Sequence, residues 1–131
     1  HIIMANNASL AGHVTVGDWA ILSGFTQIHQ FCDIGEHAFI SFSSLVNLSV
    51  PPYVTVSPDK SRPRGINSEG LRRRGFTPEQ IQNVRRAYRL LYRSGLPLEK
   101  AKEEMRALEE VDGEIQRLLD FLDDVDRSIL R

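Results

Sequence analysis

Aliphatic residues recur at every sixth position through the first part of the chain. The eight positions are Met4, Leu10, Val16, Leu22, Ile28, Ile34, Ile40 and Val46. A small or β-branched residue follows four positions after each of them, and this second set is Ala8, Val14, Ala20, Thr26, Cys32, Ala38, Ser44 and Val50. Because every position of the series matches, the pattern is a hexapeptide repeat in which one structural unit is used many times.

A period of six predicts a triangular coil of short parallel strands. It fits neither the 3.6-residue period of an amphipathic helix nor the two-residue alternation of a plain hairpin. In such a coil each six-residue unit forms one flat side, and its aliphatic residue points into a narrow interior. The residue four positions further along the sequence shares that interior and must therefore be small. Three units complete one turn of 18 residues, so residues 4–50 supply between two and three turns. Stacked turns would hydrogen-bond about 4.8 Å apart.

The repeat ends at Val50, Pro51 and Pro52, because proline cannot donate to a strand ladder. Helical signals begin further on, where Thr77 precedes Pro78 and Gln80 occupies the capping-box position. Apolar residues at helical spacing then mark three helices, and these residues are Ile81, Val84, Tyr88 and Leu91, then Ala101, Met105 and Leu108, then Ile115, Leu118, Leu119 and Leu122. We therefore predict coils in residues 1–52, an irregular basic connector in 53–67 and a helical domain in 68–131.

The formal net charge of −1 conceals three unlike segments. Residues 1–59 contain no Lys or Arg and have a net charge of −4, residues 60–95 have +8, and residues 96–131 have −5. The basic middle segment is the part expected to meet an anionic partner. No run of 18 apolar residues and no secretory signal is present, which argues against a membrane span or insertion.

The single cysteine, Cys32, cannot form an internal disulfide, which suits a reducing compartment. Cys32 and His29 could be proposed as a nucleophile and its base, but the repeat gives Cys32 a packing role. His37 is expected to be an ordinary surface residue. Because the chain opens at His1 inside the repeat without an initiator Met, we expect it to be part of a longer protein.

Four sequence blocks in this order resemble one enzyme family. They are NNASLAGHV at 6–14, HQFC at 29–32, GINSEGLRRRGF at 65–76 and AYRLLYRSG at 87–95. The family they resemble is the acyl-carrier-protein-dependent UDP-N-acetylglucosamine O-acyltransferases of lipid A biosynthesis. The resemblance implies a left-handed parallel β-helix followed by a small helical domain, assembled as a cytoplasmic homotrimer with active sites in clefts between subunits.

By the same resemblance, the reaction moves a 3-hydroxyacyl group from acyl carrier protein to the 3-hydroxyl of UDP-N-acetylglucosamine, the first step of lipid A biosynthesis. This reaction passes through a tetrahedral intermediate, whose negatively charged oxygen needs a backbone N–H donor that it can approach closely. Gly12 would supply that amide, and His13 would contact the sugar. The remaining substrate-binding residues implied by the resemblance are His29, Gln30, Asn67, Glu69, Arg73 and Arg74. No metal, cofactor or nucleic acid is expected.

The resemblance also implies two departures that affect function. The general-base histidine of the family lies upstream of the 6–14 block, so we expect residues 1–131 alone to lack the base and to be inactive. Lys60 stands where some members have a substrate-contacting histidine. Ser41 and Phe42 replace small glycines of the acyl groove, which makes Phe42 a candidate determinant of acyl-chain length.

Two other classes of function remain open from the sequence. A hexapeptide coil can also be a zinc enzyme of the γ-carbonic-anhydrase kind, but His13 and His29 would lie roughly 8 Å apart on adjacent turns, too far for one ion without a ligand from another chain. The chain could instead be a non-catalytic trimeric binding module, an alternative that the absence of the base histidine permits.

Overall fold

The structure is a computed structural model that describes residues 1–108, 112–125 and 128–131. Eight two-residue strands occur at intervals of six, and each of the first five pairs in parallel with the strand 18 residues further on, as in Met4 with Leu22 and Leu22 with Ile40. The strands are β1 (Ile3–Met4), β2 (Ser9–Leu10), β3 (Thr15–Val16), β4 (Ile21–Leu22), β5 (Gln27–Ile28), β6 (Asp33–Ile34), β7 (Phe39–Ile40) and β8 (Leu45–Val46). They form three flat sides, so the predicted parallel coil with an 18-residue turn is confirmed.

Each corner of the coil is made by one residue in the left-handed backbone region. These residues also recur at every sixth position, with φ between 58° and 63°: Asn7, His13, Trp19, Phe25, Phe31, His37 and Ser43. From Trp19 to Ser43 the corner N–H donates to a carbonyl in the preceding turn, as Phe31 N donates to Gly12 O at 3.1 Å. A left-handed conformation costs a non-glycine residue about 1–2 kcal/mol, and these hydrogen bonds help to offset that cost at those corners.

The interior of the coil is filled as the repeat predicts. Leu22, Ile40 and Val46 are fully buried, and so is Cys32 in its small-residue position. Met4 and Leu10 occupy the same interior column in the first turn, but their side chains are 45% and 38% exposed because only one neighbouring turn stacks against them.

The prediction of an irregular connector is wrong for much of residues 53–67. This segment contains β9 (Val54–Val56) and β10 (Pro63–Ile66), which pair antiparallel. Strand β9 also continues the first side of the coil by pairing in parallel with β7. The two prolines end the period of six, but they do not end the sheet.

Four helices follow: α1 (Ser68–Arg73), α2 (Pro78–Tyr92), α3 (Leu98–Arg106) and α4 (Gly113–Asp124). The predicted capping box at Thr77 and Gln80 is present at the start of α2. Leu108, expected on the second helix, lies two residues beyond the end of α3. The short helix α1 has no counterpart among the three predicted helices, since its six residues present one buried apolar side chain, Leu71.

The helical part packs directly on the last turns of the coil. Tyr88 of α2 belongs to the hydrophobic core of the coil, and its hydroxyl accepts a hydrogen bond from Gly65 N at 2.7 Å. The last residues of the chain return to the coil, where Leu130 N donates to Ser49 O at 2.7 Å. The predicted fold class, a parallel β-helix followed by a helical part, is confirmed. Among the described helices, none combines the length and apolar character that crossing a membrane requires.

Candidate active site

Gly12 and His13 form an exposed corner between β2 and β3. A Cβ built on Gly12 would meet no atom within 4 Å, so nothing in its own chain requires a glycine there. Its carbonyl accepts a hydrogen bond from Phe31 N, whereas in the described part of the chain its N–H donates to no other group. The corner therefore presents a bare backbone donor that another molecule can approach closely.

His29 and Gln30 lie at the same corner, one turn further along the coil. The register that pairs Leu10 with Ile28 places His29 below Ala11 and Gln30 below Gly12. Both side chains are exposed. The ring of His13 stacks on Phe31 with centroids 5.0 Å apart and an interplanar angle of 2°. The structure thus brings together the four predicted site residues of the coil, Gly12, His13, His29 and Gln30.

Asn67 and Glu69 lie at the start of α1, and both are engaged within the chain. Asn67 is buried and caps α1, because its Oδ1 accepts from Gly70 N at 3.2 Å and its Nδ2 donates to His37 O at 3.1 Å. Glu69 forms ion pairs with Arg72 and, at 3.1 Å, with Arg73. The hydrogen bond from Arg72, together with the charges of both arginines, lowers the pKa of Glu69. Asn67 therefore holds α1 in place, while Glu69 and Arg73 form an exposed charged surface.

Arg74 is directed away from Arg73 and packs against the coil. Its Nη1 lies 3.0 Å from His37 Nδ1, and its guanidinium carbon lies 5.5 Å from the ring centre of Trp19. Burial lowers the pKa of Arg74. A guanidinium donates only, so His37 accepts this hydrogen bond as a neutral imidazole.

The expectation that His37 is a surface residue is wrong. Its side chain is buried, stacked on Tyr53 and in edge contact with Phe76. Burial, reinforced by the nearby positive charges of Arg74 and Arg117, lowers the pKa of His37 to about 4. The repeat correctly places His37 at a corner of the coil, but the cover comes from a segment 37 residues away that the repeat cannot reveal.

Residues 50–130 match the family described as UDP-N-acetylglucosamine O-acyltransferase, domain 2. This chain belongs to that family. A relative from Xylella fastidiosa, named acyl-[acyl-carrier-protein]–UDP-N-acetylglucosamine O-acyltransferase, is 52% identical over 132 residues that cover 100% of this chain and 50% of the relative. The chain therefore spans about half the length of this curated relative.

Solved structures of acyltransferases agree with the whole described fold. The UDP-N-acetylglucosamine acyltransferase of Francisella novicida matches with a TM-score of 0.94 and 42% identity, covering 99% of this chain and 48% of that one. The UDP-N-acetylglucosamine acyltransferase of Bacteroides fragilis 9343 matches with a TM-score of 0.96 and 35% identity, covering 99% and 51%. The likeness therefore includes both the coil and the helical part of this family member.

The predicted site residues of this acyltransferase-family chain fall into two groups at different corners of the coil. Gly12 and Gln30 lie at the corner formed by His13 and Phe31, whereas α1 is held at the corner formed by Trp19 and His37. The described residues contain no group of three or more His, Cys, Asp or Glu side chains able to hold a metal ion. Within one chain, the residues of each group lie close to one another, but the two groups lie at different corners.

Phe42 lies at the third corner of the coil and is 59% exposed. Its ring meets the ring of Phe25 edge to face, with centroids 5.7 Å apart. Leu45, on the adjoining side, is 61% exposed. Phe42 is therefore part of an apolar outer surface rather than of the interior of the coil.

Proposed function

We propose that the full-length protein transfers a 3-hydroxyacyl group from acyl carrier protein to the 3-hydroxyl of UDP-N-acetylglucosamine, in the cytoplasm and as the first step of lipid A biosynthesis. The sugar oxygen attacks the thioester carbonyl and gives up its proton to a general base. The tetrahedral oxyanion then collapses, the C–S bond breaks, and the phosphopantetheine sulfur leaves and takes up a proton. No metal or cofactor takes part in this reaction.

The observation that carries the proposal is the bare N–H of Gly12 in a chain that belongs to this family. A thioester oxygen that becomes negative needs a donor fixed in place before the reaction, and a backbone amide meets that need. The missing side chain at Gly12 leaves room for the acyl group. We assign sugar contact to His13 and substrate contacts to His29 and Gln30, which line the same corner.

The separation of the two groups of site residues supports a homotrimer as the active form. One chain places Glu69 and Arg73 at a corner different from that of Gly12, so a cleft containing both needs a second chain. The exposed apolar side chains of Phe42 and Leu45 offer surface for contact between chains. In this arrangement the α1 residues of one subunit face the Gly12 corner of the next.

The contacts made by the predicted binding residues of α1 indicate different roles for them, either substrate binding or the positioning of the helix. Arg73 is largely exposed and can pair with a phosphate of the nucleotide or of the phosphopantetheine arm, once Glu69 releases it or joins the contact. Arg74 and Asn67 make their contacts with the coil, so we assign them the positioning of α1 as well as substrate contact. The general base stays a prediction, a histidine upstream of residues 6–14.

The test is acyl transfer by the full-length protein, wild type and Gly12→Ala, from loaded acyl carrier protein to UDP-N-acetylglucosamine. The new methyl group meets nothing in the chain, so the variant should fold normally. It should nevertheless lose about 10²–10³-fold in kcat, the effect expected when an oxyanion donor is obstructed.

Gly24→Ala is the matched control, since Gly24 occupies the same position of the repeat at another corner and an added Cβ there would make ordinary contacts of 3.4–3.6 Å. Absence of transfer by the wild-type protein would reject the proposed function. Full activity of Gly12→Ala would instead reject the role of the Gly12 amide.

A further inference from the structure

One corner of the coil carries a column of three aromatic side chains, which we call the aromatic corner. Trp19, His37 and Tyr53 occupy this corner in successive turns, each with a left-handed backbone. The backbone links the turns, because His37 N donates to Asp18 O and Tyr53 N donates to Glu36 O, both at 2.9 Å. The aromatic corner is therefore a fixed surface against which another element can be held.

His37 contacts both ends of α1. Its backbone oxygen accepts a hydrogen bond from Nδ2 of Asn67, the N-cap of α1, at 3.1 Å. Its Nδ1 lies 3.0 Å from Nη1 of Arg74, the C-cap of the same helix. A helix of six residues is too short to be stable by itself. One residue of the coil thus fixes the beginning and the end of α1.

The aromatic corner also surrounds the Arg74 end of α1. The guanidinium carbon of Arg74 lies 5.5 Å from the ring centre of Trp19, and Phe76 meets the ring of His37 edge to face with centroids 5.0 Å apart. Among the described residues, Arg74 forms no ion pair with a carboxylate. The imidazole of His37 is therefore the side-chain acceptor of this guanidinium in the described part of the chain.

The charge state of His37 suits it to this contact. Burial and the positive charges of Arg74 and Arg117 lower the pKa of His37 to about 4, against the opposing charge of Asp18. The ring is therefore neutral near pH 7, and its Nδ1 can accept from a guanidinium, which only donates. A charged imidazole would donate from both ring nitrogens and repel Arg74.

Between its two fixed ends, α1 presents the exposed pair of Glu69 and Arg73, whose Oε1 and Nε lie 3.1 Å apart. Fixing both ends of a short helix also fixes its rotation about its own axis. The directions in which Glu69 and Arg73 point therefore depend on the contacts of His37.

We propose that His37 is the positioning residue of α1, whose ring and backbone oxygen together hold Glu69 and Arg73 in the direction of a phosphate group of the substrate. That phosphate belongs either to the nucleotide or to the phosphopantetheine arm, and the proposal rests on the proposed function for this identity. His37 is 5% exposed, so it acts through Arg74 and Asn67 rather than on the substrate itself.

The experiment compares full-length wild type with His37→Phe and His37→Gln. Phenylalanine removes the acceptor but keeps a ring against Tyr53 and Phe76, and the same corner position of the repeat already holds Phe25 and Phe31 with left-handed backbones. His37→Phe should weaken binding of the phosphate-bearing substrate about tenfold and leave kcat within about twofold. His37→Gln keeps an acceptor and should restore binding to within about twofold of wild type.

Two measurements distinguish the sources of the phosphate. One is the KM for UDP-N-acetylglucosamine with the carrier-linked donor. The other is the inhibition constant of 3-hydroxyacyl phosphopantetheine, compared with that of 3-hydroxyacyl pantetheine, which lacks the phosphate. The value for the ligand held by α1 should rise about tenfold in His37→Phe, and the value for the pantetheine compound should not change.

Hydrogen exchange of the α1 amides tests positioning without turnover. In His37→Phe the amides of residues 68–74 should exchange about tenfold faster than in wild type, because the end of the helix has lost its contact with the coil. His37→Gln should resemble wild type. Exchange in the coil strands should be the same in all three proteins.

Two further variants examine the contact from the other side. Trp19→Asn removes the ring beside Arg74 at a position where Asn7 already adopts the same backbone, and it should weaken the same ligand about two- to fivefold. If His37 acts through Arg74, His37→Phe should cost less than about twofold when it is added to Arg74→Ala.

Ile34→Val is the control for a small loss of packing in the coil, since Ile34 is buried in β6 and belongs to the core of the coil. It should leave the KM, the inhibition constants and the exchange of α1 unchanged. An equal weakening by Ile34→Val and His37→Phe would overturn the proposal, because the effect would then reflect general destabilisation.

Unchanged ligand binding and unchanged α1 exchange in His37→Phe would also overturn the proposal. The same holds for losses that multiply in the double variant, or for a His37→Gln protein that behaves like His37→Phe. Faster α1 exchange in His37→Phe alone, in a protein without transfer activity, would support the positioning of α1 by His37 while rejecting the proposed function.

Discussion

The first and last turns of the coil use the same repeat but differ in how well they are enclosed. Leu10 and Ile28 are partners in one interior column, yet Leu10 is 38% exposed and Ile28 is 2% exposed. Met4 and Ile40, in another column, are 45% and 0% exposed. The last turns have a neighbouring turn above them, β9 and the helical part against them, and the contact of Leu130 with Ser49. An interior side chain of a solenoid is thus buried only where neighbouring turns or other elements stack on both sides of it. The repeat places the side chain in the interior but does not by itself bury it.

The largest effect should come from truncating an enclosed interior residue. Ile40→Ala should lower the free energy of unfolding by about 2–5 kcal/mol, because a fully buried aliphatic side chain leaves a cavity when it is removed. Leu10→Ala removes a side chain that is already partly in water and should cost less than about 1.5 kcal/mol. Denaturant unfolding of residues 1–131 measures both values, and equal losses would contradict the difference between the two ends.

A second effect should appear as a pH dependence at the enclosed end. His37 has a pKa of about 4 in the folded chain and the ordinary value of 6.5 when unfolded. The unfolded state therefore binds more protons between these values, and the free energy of unfolding should fall as pH is lowered from about 6.5 to about 4. At 1.36 kcal/mol per pKa unit the loss is at most about 3 kcal/mol.

The variant His37→Gln isolates this contribution. Gln keeps an oxygen that can accept from Arg74 but does not titrate, so its stability should change less than that of the wild type over the same pH range. Contributions that the two proteins share cancel in the difference between their profiles. Parallel pH profiles for the two proteins would show that the burial of His37 carries no such penalty.

The sequence predicts those parts of the molecule that depend on local periodicity. Every interior residue from Leu22 to Val46 is buried as the period of six requires, and the capping box at Thr77 forms as its residue types indicate. Strand β9 was missed because its partner is Phe39 in β7, and no pattern around Val54 records a pairing with a strand in the previous turn. Local sequence patterns therefore predict each repeat unit and each helix cap, whereas pairing between residues distant in the sequence determines how the coil ends.

The same limit applies to the candidate site. The order of the sequence blocks brings Gly12 and Gln30 to attention, and the 18-residue turn explains why they are stacked. For the run of arginines at 72–74, in contrast, nothing in the sequence indicates that its members have different partners. In the structure Arg73 pairs with Glu69, whereas Arg74 reaches His37, because α1 ends there and successive side chains point in different directions.

A smaller effect, with opposite signs in adjacent turns, is expected at Thr26 and Ser44. They occupy the same column, but Thr26 Oγ1 is buried without a hydrogen-bond partner among the described residues, whereas Ser44 Oγ donates to Ser41 O at 2.7 Å. Thr26→Val should raise the free energy of unfolding by about 1 kcal/mol, since it removes an unsatisfied hydroxyl with little change of shape. Ser44→Ala should lower it by about 1 kcal/mol. Destabilisation by both substitutions would mean that Thr26 has an unrecognised partner.

The last effect concerns the outside of the coil, at Phe42, and is expected in donor choice rather than in the stability of the chain. If its exposed ring closes the far end of the acyl groove in the trimer, it occupies the space of several methylene groups, and each methylene denied burial removes about 0.8 kcal/mol of binding. Phe42→Gly should then shift donor preference toward longer acyl chains, with discrimination of about 10–200-fold between neighbouring misfits. Competing acyl-carrier-protein donors of different lengths measure the shift. An unchanged length profile together with a less stable trimer would show instead that Phe42, with Phe25, packs between chains and that another residue limits the acyl chain.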